Sequence, residues 1–426
     1  MNFSKRRTFL KAAAASASMV GVSMLSGCAS IGSSRARVAI VGGGYGGATA
    51  ARYLKLWEPS IDVTLIEQEA RFVSCPISNL VLADYAKLED ITLGYEGLRR
   101  AGVTVVHDQA VGIDAAARRV RLGRGADVAY DRLIVTPGID FSFEEIESYE
   151  PAMTSGRVLH AWKAGPQTLA LRRQIEQMRD GGVVALSIPL APYRCPPGPY
   201  ERACMIAAFL KRTKPRSKLL VLDANPDVTS KAGLFKAAWK DLYAGFIDYR
   251  PNARAIGIDA NSMTLKLEVE DVKADVLNVI PPQRAADIAR STGLITHNNR
   301  WCDVDWRTME SKKVPGIHIL GDATLAAPAM PKSASMASNH AKIAAGAIIE
   351  LLAGRAPSQD TQILNTCYSF VSQTEAIRVS SVHRWNTKAG TLSPVAGSGG
   401  VSSARSEAEG TFAWNWARSI WADAFA

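Results

Sequence analysis

The sequence has no Cys-x-x-Cys pair and no Cys-x-x-Cys-His haem-attachment motif, although it contains six cysteines. No Cys/His set has the spacing of zinc ligands either, so neither a structural metal site nor covalently bound haem is predicted. Basic residues do not cluster with interleaved aromatics. The formal net charge of +10 is a modest excess for 426 residues, so no nucleic-acid partner is predicted. Beyond the N-terminal segment, no apolar run reaches the length of a membrane span.

The N-terminal segment has the composition of an export signal. Paired arginines, Arg6 and Arg7, precede an Ala-rich apolar stretch from Ala12 to Leu25. This arrangement resembles a twin-arginine signal, which predicts a periplasmic protein that is exported already folded around a cofactor. The segment ending at Cys28 also resembles a lipoprotein cleavage box and predicts a lipid anchor there, the alternative being ordinary cleavage nearby that discards this cysteine. Export predicts a compartment in which disulfides persist.

A glycine-rich turn follows the first apolar, β-branched run and precedes a helical pattern. Gly42, Gly44 and Gly47 fulfil the G-x-G-x-x-G spacing, and Glu67 ends the second predicted strand about 20 residues further on. The first glycine allows a tight turn, the second lets the backbone approach a pyrophosphate, and the third lets helix and strand pack closely. We therefore predict a dinucleotide-binding βαβ unit in which Glu67 accepts hydrogen bonds from the adenosine ribose. The motif alone does not separate FAD from NAD.

Two later features favour FAD. Gly321 and Asp322 end a strand in a pattern that resembles the second flavin contact of two-dinucleotide-binding-domain flavoproteins, in which Asp322 would bind the ribityl chain. In the middle of the chain, the strand 183–188 is followed by prolines instead of a glycine-rich turn. Because prolines lack N–H donors, this second half is predicted to keep its fold without binding nicotinamide, and the electrons to come from a small reductant. Lys332 is predicted either beside the flavin or on the surface.

The alternation of strands and helices predicts an α/β fold of two Rossmann-like dinucleotide-binding-type domains, as in disulfide reductases, plus a C-terminal domain at the flavin and partner interface. The predicted parts are an export signal and linker (1–35), the first part of the FAD-binding domain (36–160), a second Rossmann-like domain lacking an NAD fingerprint (161–290), the second part of the FAD-binding domain (291–354) and the C-terminal domain (355–426). The tail is predicted to be irregular, with a flexible stretch at 397–400 and an aromatic end near Trp414 and Trp416.

Cys195 has surroundings that are unusual for a core residue. It follows the strand 183–188, lies between Arg194 and a proline, and precedes Glu201. Such a segment is suited to hold a sulfur at a fixed position, where Arg194 would stabilise a thiolate if its side chain turns inward. Cys367 offers a second sulfur far downstream, and a flavin would exchange electrons with the two.

Several segments together resemble the flavoprotein subunit of flavocytochrome c sulfide dehydrogenase, over nearly the whole mature chain. They are Val41–Ala50, His160–Gly165, Tyr193–Arg202, Ile280–Ala285, Met330–Ser333 and Leu364–Ser369. The resemblance implies oxidation of sulfide in the periplasm and transfer of the electrons through FAD to a c-type cytochrome subunit. Because this sequence contains no haem-attachment motif, that cytochrome must be a separate chain.

The resemblance also implies roles for individual residues. Cys195 and Cys367 match the redox-active cysteine pair at the flavin, the alternatives being an inert disulfide or two free thiols. Glu201 matches a carboxylate near the site that handles a proton, the alternative being a solvated helix residue. Cys75 matches the cysteine that bonds covalently to the flavin, although Pro76 stands where an aromatic residue is expected. The alternative for Cys75 is a buried free cysteine.

Other functions stay open at this point. A sulfide:quinone oxidoreductase would pass the electrons to membrane quinone, and a lipid on Cys28 would place it at the membrane. However, no amphipathic helix pair for membrane insertion is predicted near the C-terminus. Another reduced sulfur compound is a second alternative, and a flavin-carrying electron-transfer subunit without sulfide chemistry is a third. Cys204 and Cys302 are predicted to be small core residues without a role.

Overall fold

The computed structural model describes residues 35–426. The predicted export signal and Cys28 lie outside the described residues. The strands, in chain order, are β1 (Arg37–Val41), β2 (Asp62–Ile66), β3 (Phe72–Val73), β4 (Thr92–Leu93), β5 (Thr104–Val106), β6 (Ala110–Asp114), β7 (Arg119–Leu122), β8 (Asp127–Ala129), β9 (Arg132–Val135), β10 (Ile139–Phe141), β11 (Val158–Leu159), β12 (Val183–Ile188), β13 (Lys218–Asp223), β14 (Ile247–Arg250), β15 (Ala255–Asp259), β16 (Thr264–Leu267), β17 (Asp271–Lys273), β18 (Val276–Val279), β19 (Gln283–Ala285), β20 (Val304–Asp305), β21 (Glu310–Ser311), β22 (Ile317–Ile319), β23 (Gln362–Phe370), β24 (Ala376–Asn386), β25 (Thr391–Pro394) and β26 (Gly400–Val401). The α-helices are α1 (Tyr45–Trp57), α2 (Ser78–Leu82), α3 (Glu96–Arg100), α4 (Tyr149–Thr154), α5 (Pro166–Gln177), α6 (Gly198–Thr213), α7 (Ala232–Leu242), α8 (Asp287–Ser291), α9 (Ala334–Leu352) and α10 (Glu407–Phe425). Within these residues, no helix has the length and apolar character needed to cross a membrane.

The first sheet has seven strands in the order β20-β21-β22-β9-β1-β2-β5. The strands β22, β9, β1, β2 and β5 are parallel to one another. The apolar residues of β1 after Arg37 are all buried, as is typical of a parallel sheet that is covered on both faces. Because β22 comes from a much later part of the chain than β1 and β9, this domain is built from two distant segments.

The second sheet has five parallel strands in the order β11-β18-β12-β13-β14. Helix α6 follows β12 and is buried from Gly198 to Leu210. The parallel strands of these two sheets and their helices confirm the predicted α/β fold with two Rossmann-like domains. The strand β11 lies just before residue 160, where the sequence analysis placed the domain boundary.

The prediction that the C-terminal tail is irregular is wrong. The strands β23 and β24 form a long antiparallel pair, β25 and β26 complete a four-stranded sheet, and helix α10 follows with Ser406 capping its first turn. The stretch 397–400 ends in β26, which pairs with β24. Along β23 the polar residue Asn365 and Cys367 are buried whereas Leu364 is exposed. Hydrophobic alternation therefore does not reveal this strand.

Candidate functional site

A cavity of about 570 Å³ brings together residues from all parts of the described chain. Of the predicted site residues, nine line it: Gly42, Gly44, Glu67, Cys75, Cys195, Glu201, Gly321, Asp322 and Cys367. Gly47 does not line the cavity and instead lies against the backbone of the glycine-rich turn. The residues predicted to contact the cofactor and the residues predicted to exchange electrons with it therefore share one cavity.

The three motif glycines are explained by different contacts. Gly42 has φ +97°, and a Cβ there would lie 2.3 Å from the Thr136 carbonyl oxygen. A Cβ on Gly47 would lie 1.8 Å from the Gly42 carbonyl oxygen. At Gly44 the nearest atom would be Phe72 Cε2, at 3.7 Å, so packing does not require glycine there. The missing side chain of Gly44 instead keeps the cavity open at the start of α1.

The N-terminus of helix α1 is suited to bind a phosphate. Its N-cap is Gly44, which offers no side-chain cap, and its first turn carries no acidic residue. The first N–H groups of a helix have no partner within the helix, and the helix dipole favours an anion there. The Glu67 carboxylate also faces the cavity, and its two oxygens accept the N–H groups of Gly43 at 2.7 Å and Glu69 at 2.9 Å. Its remaining lone pairs fit the hydroxyls of a ribose.

Asp322 supplies a direct test of whether a flavin fits this cavity. Its Oδ1 atom is buried and has no hydrogen-bond partner within the described part of the chain. Burial raises the pKa of Asp322, while the charges of Arg194 and Lys332 act in the opposite direction. Leaving a buried acceptor unpaired costs about 1–3 kcal/mol, and the hydroxyls of a ribityl chain would provide the missing donor. The residues present therefore fit the predicted cofactor.

Cys195 is held by a tight turn at the start of α6. Its backbone is in the left-handed region, with φ +56°. Its N–H donates to the Lys332 carbonyl at 2.8 Å, and its own carbonyl accepts the Gly198 N–H at 2.8 Å. A Cβ on Gly198 would lie 2.9 Å from Cys195 Sγ and 2.8 Å from Trp162 Cη2. The sulfur therefore packs against this glycine, which leaves no room for a side chain.

Cys367 reaches the same cavity from strand β23. Cys195 and Cys367 are both free thiols in this structure, and burial is the largest cause that raises the pKa of each. The neighbouring thiol of Cys367 and the carboxylate of Glu201 raise the pKa of Cys195 further, and Arg194 lowers it. The Arg194 guanidinium is turned inward and donates to the Trp162 carbonyl.

Glu201 joins the segments that carry the cavity cysteines. Its Oε2 accepts from Asn79 Nδ2 at 2.8 Å, on the helix after Cys75, and its Oε1 accepts the Phe370 N–H at 2.7 Å, on the strand of Cys367. The alternative of a solvated helix residue is wrong, because only 8% of Glu201 is exposed. Burial raises the pKa of Glu201, against the effect of these two donors.

Sequence reasoning gave no role to Asn79 or Arg202. Arg202 is buried and donates to Asn79 Oδ1 at 3.1 Å and to the carbonyls of His160 at 2.9 Å and Ala161 at 2.6 Å. Burial lowers the pKa of Arg202 to about 10. Two adjacent charged residues near the start of the buried part of α6, Glu201 and Arg202, are the sequence signal that this helix faces a polar cluster.

The remaining residues discussed from the sequence are Cys75, Cys204, Cys302 and Lys332. Cys75 is half-buried in the turn between β3 and α2 and lines the cavity, whereas Cys204 and Cys302 are buried in the core. Lys332 is buried, so its surface alternative is wrong. Its Nζ donates to the Asp322 carbonyl at 3.0 Å and lies 3.6 Å from the centre of the Trp301 ring.

Three family models match the chain. The model described as pyridine nucleotide-disulphide oxidoreductase matches residues 36–163. The central domain of the sulfide dehydrogenase [flavocytochrome c] flavoprotein chain matches residues 168–281. The flavin-binding domain of flavocytochrome c sulphide dehydrogenase matches residues 359–425.

Curated proteins and solved structures show the same likeness. The sulfide dehydrogenase [flavocytochrome c] flavoprotein chain of Chlorobaculum thiosulfatiphilum is 58% identical over 45 residues, which are 11% of this chain and 94% of that sequence. The mitochondrial sulfide:quinone oxidoreductase of Mus musculus is 23% identical over 308 residues, which are 67% of this chain and 65% of that protein's length. This chain thus spans just under two thirds of the mouse protein. The solved sulfide:quinone oxidoreductase of Aquifex aeolicus shares the fold, with a TM-score of 0.74, 19% identity and 92% of each chain covered.

Proposed function

Because this chain belongs to the family of flavocytochrome c sulfide dehydrogenase flavoprotein chains, we propose that it oxidises sulfide through Cys195 and Cys367. FAD is its cofactor, and the proposed electron acceptor is a separate c-type cytochrome subunit. The observation that supports the proposal is that Cys195 and Cys367, distant in the sequence, line the same cavity as the glycine-rich turn.

The proposed reaction begins with the cysteine pair in its disulfide form. Hydrosulfide attacks one sulfur, a new S–S bond forms, the bond between Cys195 and Cys367 breaks, and the other cysteine leaves as a thiolate. A second hydrosulfide then removes the outer sulfur as a disulfane and leaves two cysteine thiolates. The glycine-rich turn, Glu67 and Asp322 would hold FAD, which would supply the two-electron acceptor that is needed for the disulfide to form again. Glu201, buried beside both cysteines, is the proposed acceptor of the proton that the disulfane gives up when it leaves as its monoanion.

Cys75 is proposed to bond covalently to the flavin, because it lines the cavity and is accessible from it. We expect acid-denatured wild-type protein to keep its flavin, and Cys75→Ser to release all of it, as measured by intact mass and by fluorescence of the precipitated protein. Cys204→Ala is the control, since Cys204 is buried away from the cavity. Full release of flavin from the denatured wild-type protein would contradict the covalent bond.

Export by the twin-arginine route to the periplasm, with a lipid on Cys28, is also proposed from the N-terminal sequence. Cell fractionation and the intact mass of the mature protein test it. A mature protein that lacks residues 1–27 and carries the additional mass of a lipid would support the anchor. A soluble periplasmic protein that begins after Cys28 would contradict the anchor but not export, and a cytoplasmic protein would contradict both.

The electron acceptor is tested with sulfide and two preparations of the purified protein, one with and one without a co-expressed haem subunit. Each preparation is assayed for reduction of a c-type cytochrome and of a soluble quinone analogue. We expect cytochrome reduction that depends on the haem subunit. The likeness to sulfide:quinone oxidoreductases supports the second candidate function, and reduction of the quinone alone would favour it. Reduction of neither acceptor would contradict both candidates.

A further inference from the structure

A buried lysine lies beside the strand that carries Cys367. Lys231 directly precedes helix α7, and only 7% of it is exposed. Its Nζ donates to Ser369 Oγ at 2.8 Å and lies 3.4 Å from the Cys367 carbonyl oxygen and 3.5 Å from the Ile377 carbonyl oxygen. All three acceptors belong to β23 and β24, so the ammonium is held at a fixed position next to Cys367.

The placement of Lys231 is unfavourable for stability. In the described part of the chain its hydrogen-bond acceptors are neutral oxygens, and none is a carboxylate. Its backbone has φ +57°, in the left-handed region that disfavours a residue with a side chain. A buried charge without an ion-pair partner and a strained backbone both cost free energy. The charge that Lys231 supplies explains its position better than packing does.

The charge of Lys231 acts mainly on one of the two sulfurs. Burial raises the pKa of Cys367, and the Lys231 ammonium is the largest influence that lowers it. Burial lowers the pKa of Lys231 to about 8, and the charge of Cys367 is the largest influence that opposes this shift. For Cys195 the charge that lowers the pKa is that of Arg194, and its effect is smaller than the influences that raise it. The two sulfurs are therefore electrostatically unequal.

The two sulfurs also differ in exposure, because Cys195 is half-buried and Cys367 is buried. We infer that Lys231 is a positioning residue that stabilises the Cys367 thiolate formed when the cysteine pair opens, so that Cys367 is the leaving sulfur and hydrosulfide attacks Cys195. The direction of attack rests on the proposed function, whereas the effect of Lys231 on the Cys367 thiol does not.

The step is balanced without any further reactant. A lone pair of the hydrosulfide sulfur forms a bond to Cys195 Sγ, and the bond between the two cysteine sulfurs breaks. Its electron pair stays on Cys367 Sγ, where the charge of the Lys231 ammonium, held at the Cys367 carbonyl, stabilises it. The proton of the hydrosulfide stays on the outer sulfur of the new persulfide. Because the better-stabilised thiolate is the better leaving group, the charge of Lys231 selects the direction of cleavage.

The first experiment measures the thiols without sulfide. Full-length, flavin-loaded protein is reduced and treated with iodoacetamide over a pH series, and the alkylation rate of each cysteine is read by peptide mass spectrometry. We expect Lys231→Met to lower the rate at Cys367 about tenfold below neutral pH, which corresponds to a pKa raised by about one unit, while the rate at Cys195 changes little. Lys231→Arg should keep the wild-type rate. An unchanged rate at Cys367 in Lys231→Met would overturn the inference.

The control for this experiment is a lysine on α7, the helix that Lys231 precedes. Lys236→Met removes an exposed lysine that pairs with Asp227 at 2.6 Å, and it should leave the rates at both sulfurs unchanged. The other titratable groups that face Lys231 are Glu201 on α6, Glu409 on α10 and the two cysteines. These groups are identical in all the variants, so a difference between the variants reports on the lysine.

The second experiment locates the outer sulfur. Protein in its disulfide form receives one equivalent of sulfide and is then alkylated, and the mass of each cysteine peptide shows where the persulfide lies. We expect it on Cys195 in the wild-type protein and on both cysteines in Lys231→Met. A persulfide on Cys367 in the wild-type protein would overturn the direction of attack. A persulfide on neither cysteine would overturn the proposed function, while the alkylation result would still decide the effect of Lys231.

Folding of the variants is checked by circular dichroism and flavin content. If Lys231→Met does not fold, Lys231→Gln replaces it in both experiments, because its amide is a polar donor without charge. The same drop in the alkylation rate of Cys367 is then expected, and its absence would overturn the inference.

Discussion

Replacing Cys195 by serine is expected to abolish reduction of the flavin by sulfide, lowering its rate by a factor on the order of 10³ or more. A serine hydroxyl cannot form the disulfide that hydrosulfide attacks, and it cannot carry the outer sulfur. The variant should still bind FAD, because the glycine-rich turn, Glu67 and Asp322 are untouched. Anaerobic stopped-flow mixing with sulfide, followed at the flavin absorbance, measures the rate.

Two further variants complete this test. Cys367→Ser should lose the same activity, and the double variant should lose little more, since the two sulfurs act as one unit. Cys204→Ala should keep the wild-type rate, because Cys204 is buried in the core away from the cavity. Normal turnover in Cys195→Ser would contradict the proposal and would support a flavin-carrying subunit without sulfide chemistry of its own.

The parts of the site that could be predicted from the residues are those that are local in sequence. Gly42, Gly44, Gly47 and Glu67 belong to one βαβ unit, so their spacing alone predicts their arrangement. The arrival of Cys367 at the same cavity is different. The position of Cys367 depends on how β23 packs against the two Rossmann-like domains. From the sequence, its pairing with Cys195 is predicted by the family resemblance and not by spacing.

The residues that were missed act through long-range contacts. Lys231 lies in a polar segment, Thr229-Ser230-Lys231, that reads as an exposed turn, and only the packing of β23 and β24 buries it. Asn79 likewise acquires its importance from Glu201, which is remote in the sequence. The strand β23 has polar residues at buried positions, among them Asn365 and Ser369, so the hydrophobic pattern of the tail does not predict this strand.

The second large expected effect concerns the glycine-rich turn, where Gly47→Ala should lower the stability of the fold and Gly44→Ala should lower the affinity for FAD. Gly47→Ala places a Cβ 1.8 Å from the Gly42 carbonyl oxygen. Neither atom belongs to a flexible side chain, so the backbone must move and the helix must separate from the strand. We expect the free energy of unfolding to fall by about 4 kcal/mol or more. Thermal unfolding followed by circular dichroism should show a large loss of stability, with or without added FAD.

Gly44→Ala should leave the fold intact and impair only the binding of the cofactor. The nearest atom to its Cβ is Phe72 Cε2 at 3.7 Å, an ordinary contact, so the melting temperature of the flavin-free protein should be unchanged. The new methyl group lies where the pyrophosphate approaches the start of α1, and we expect at least about a tenfold loss of FAD affinity. In a Cys75→Ser background, where FAD is expected to exchange freely, titration by fluorescence measures this affinity. Unchanged affinity would show that Gly44 does not face the phosphates. A destabilised flavin-free protein would show that packing, and not the cofactor, requires glycine there.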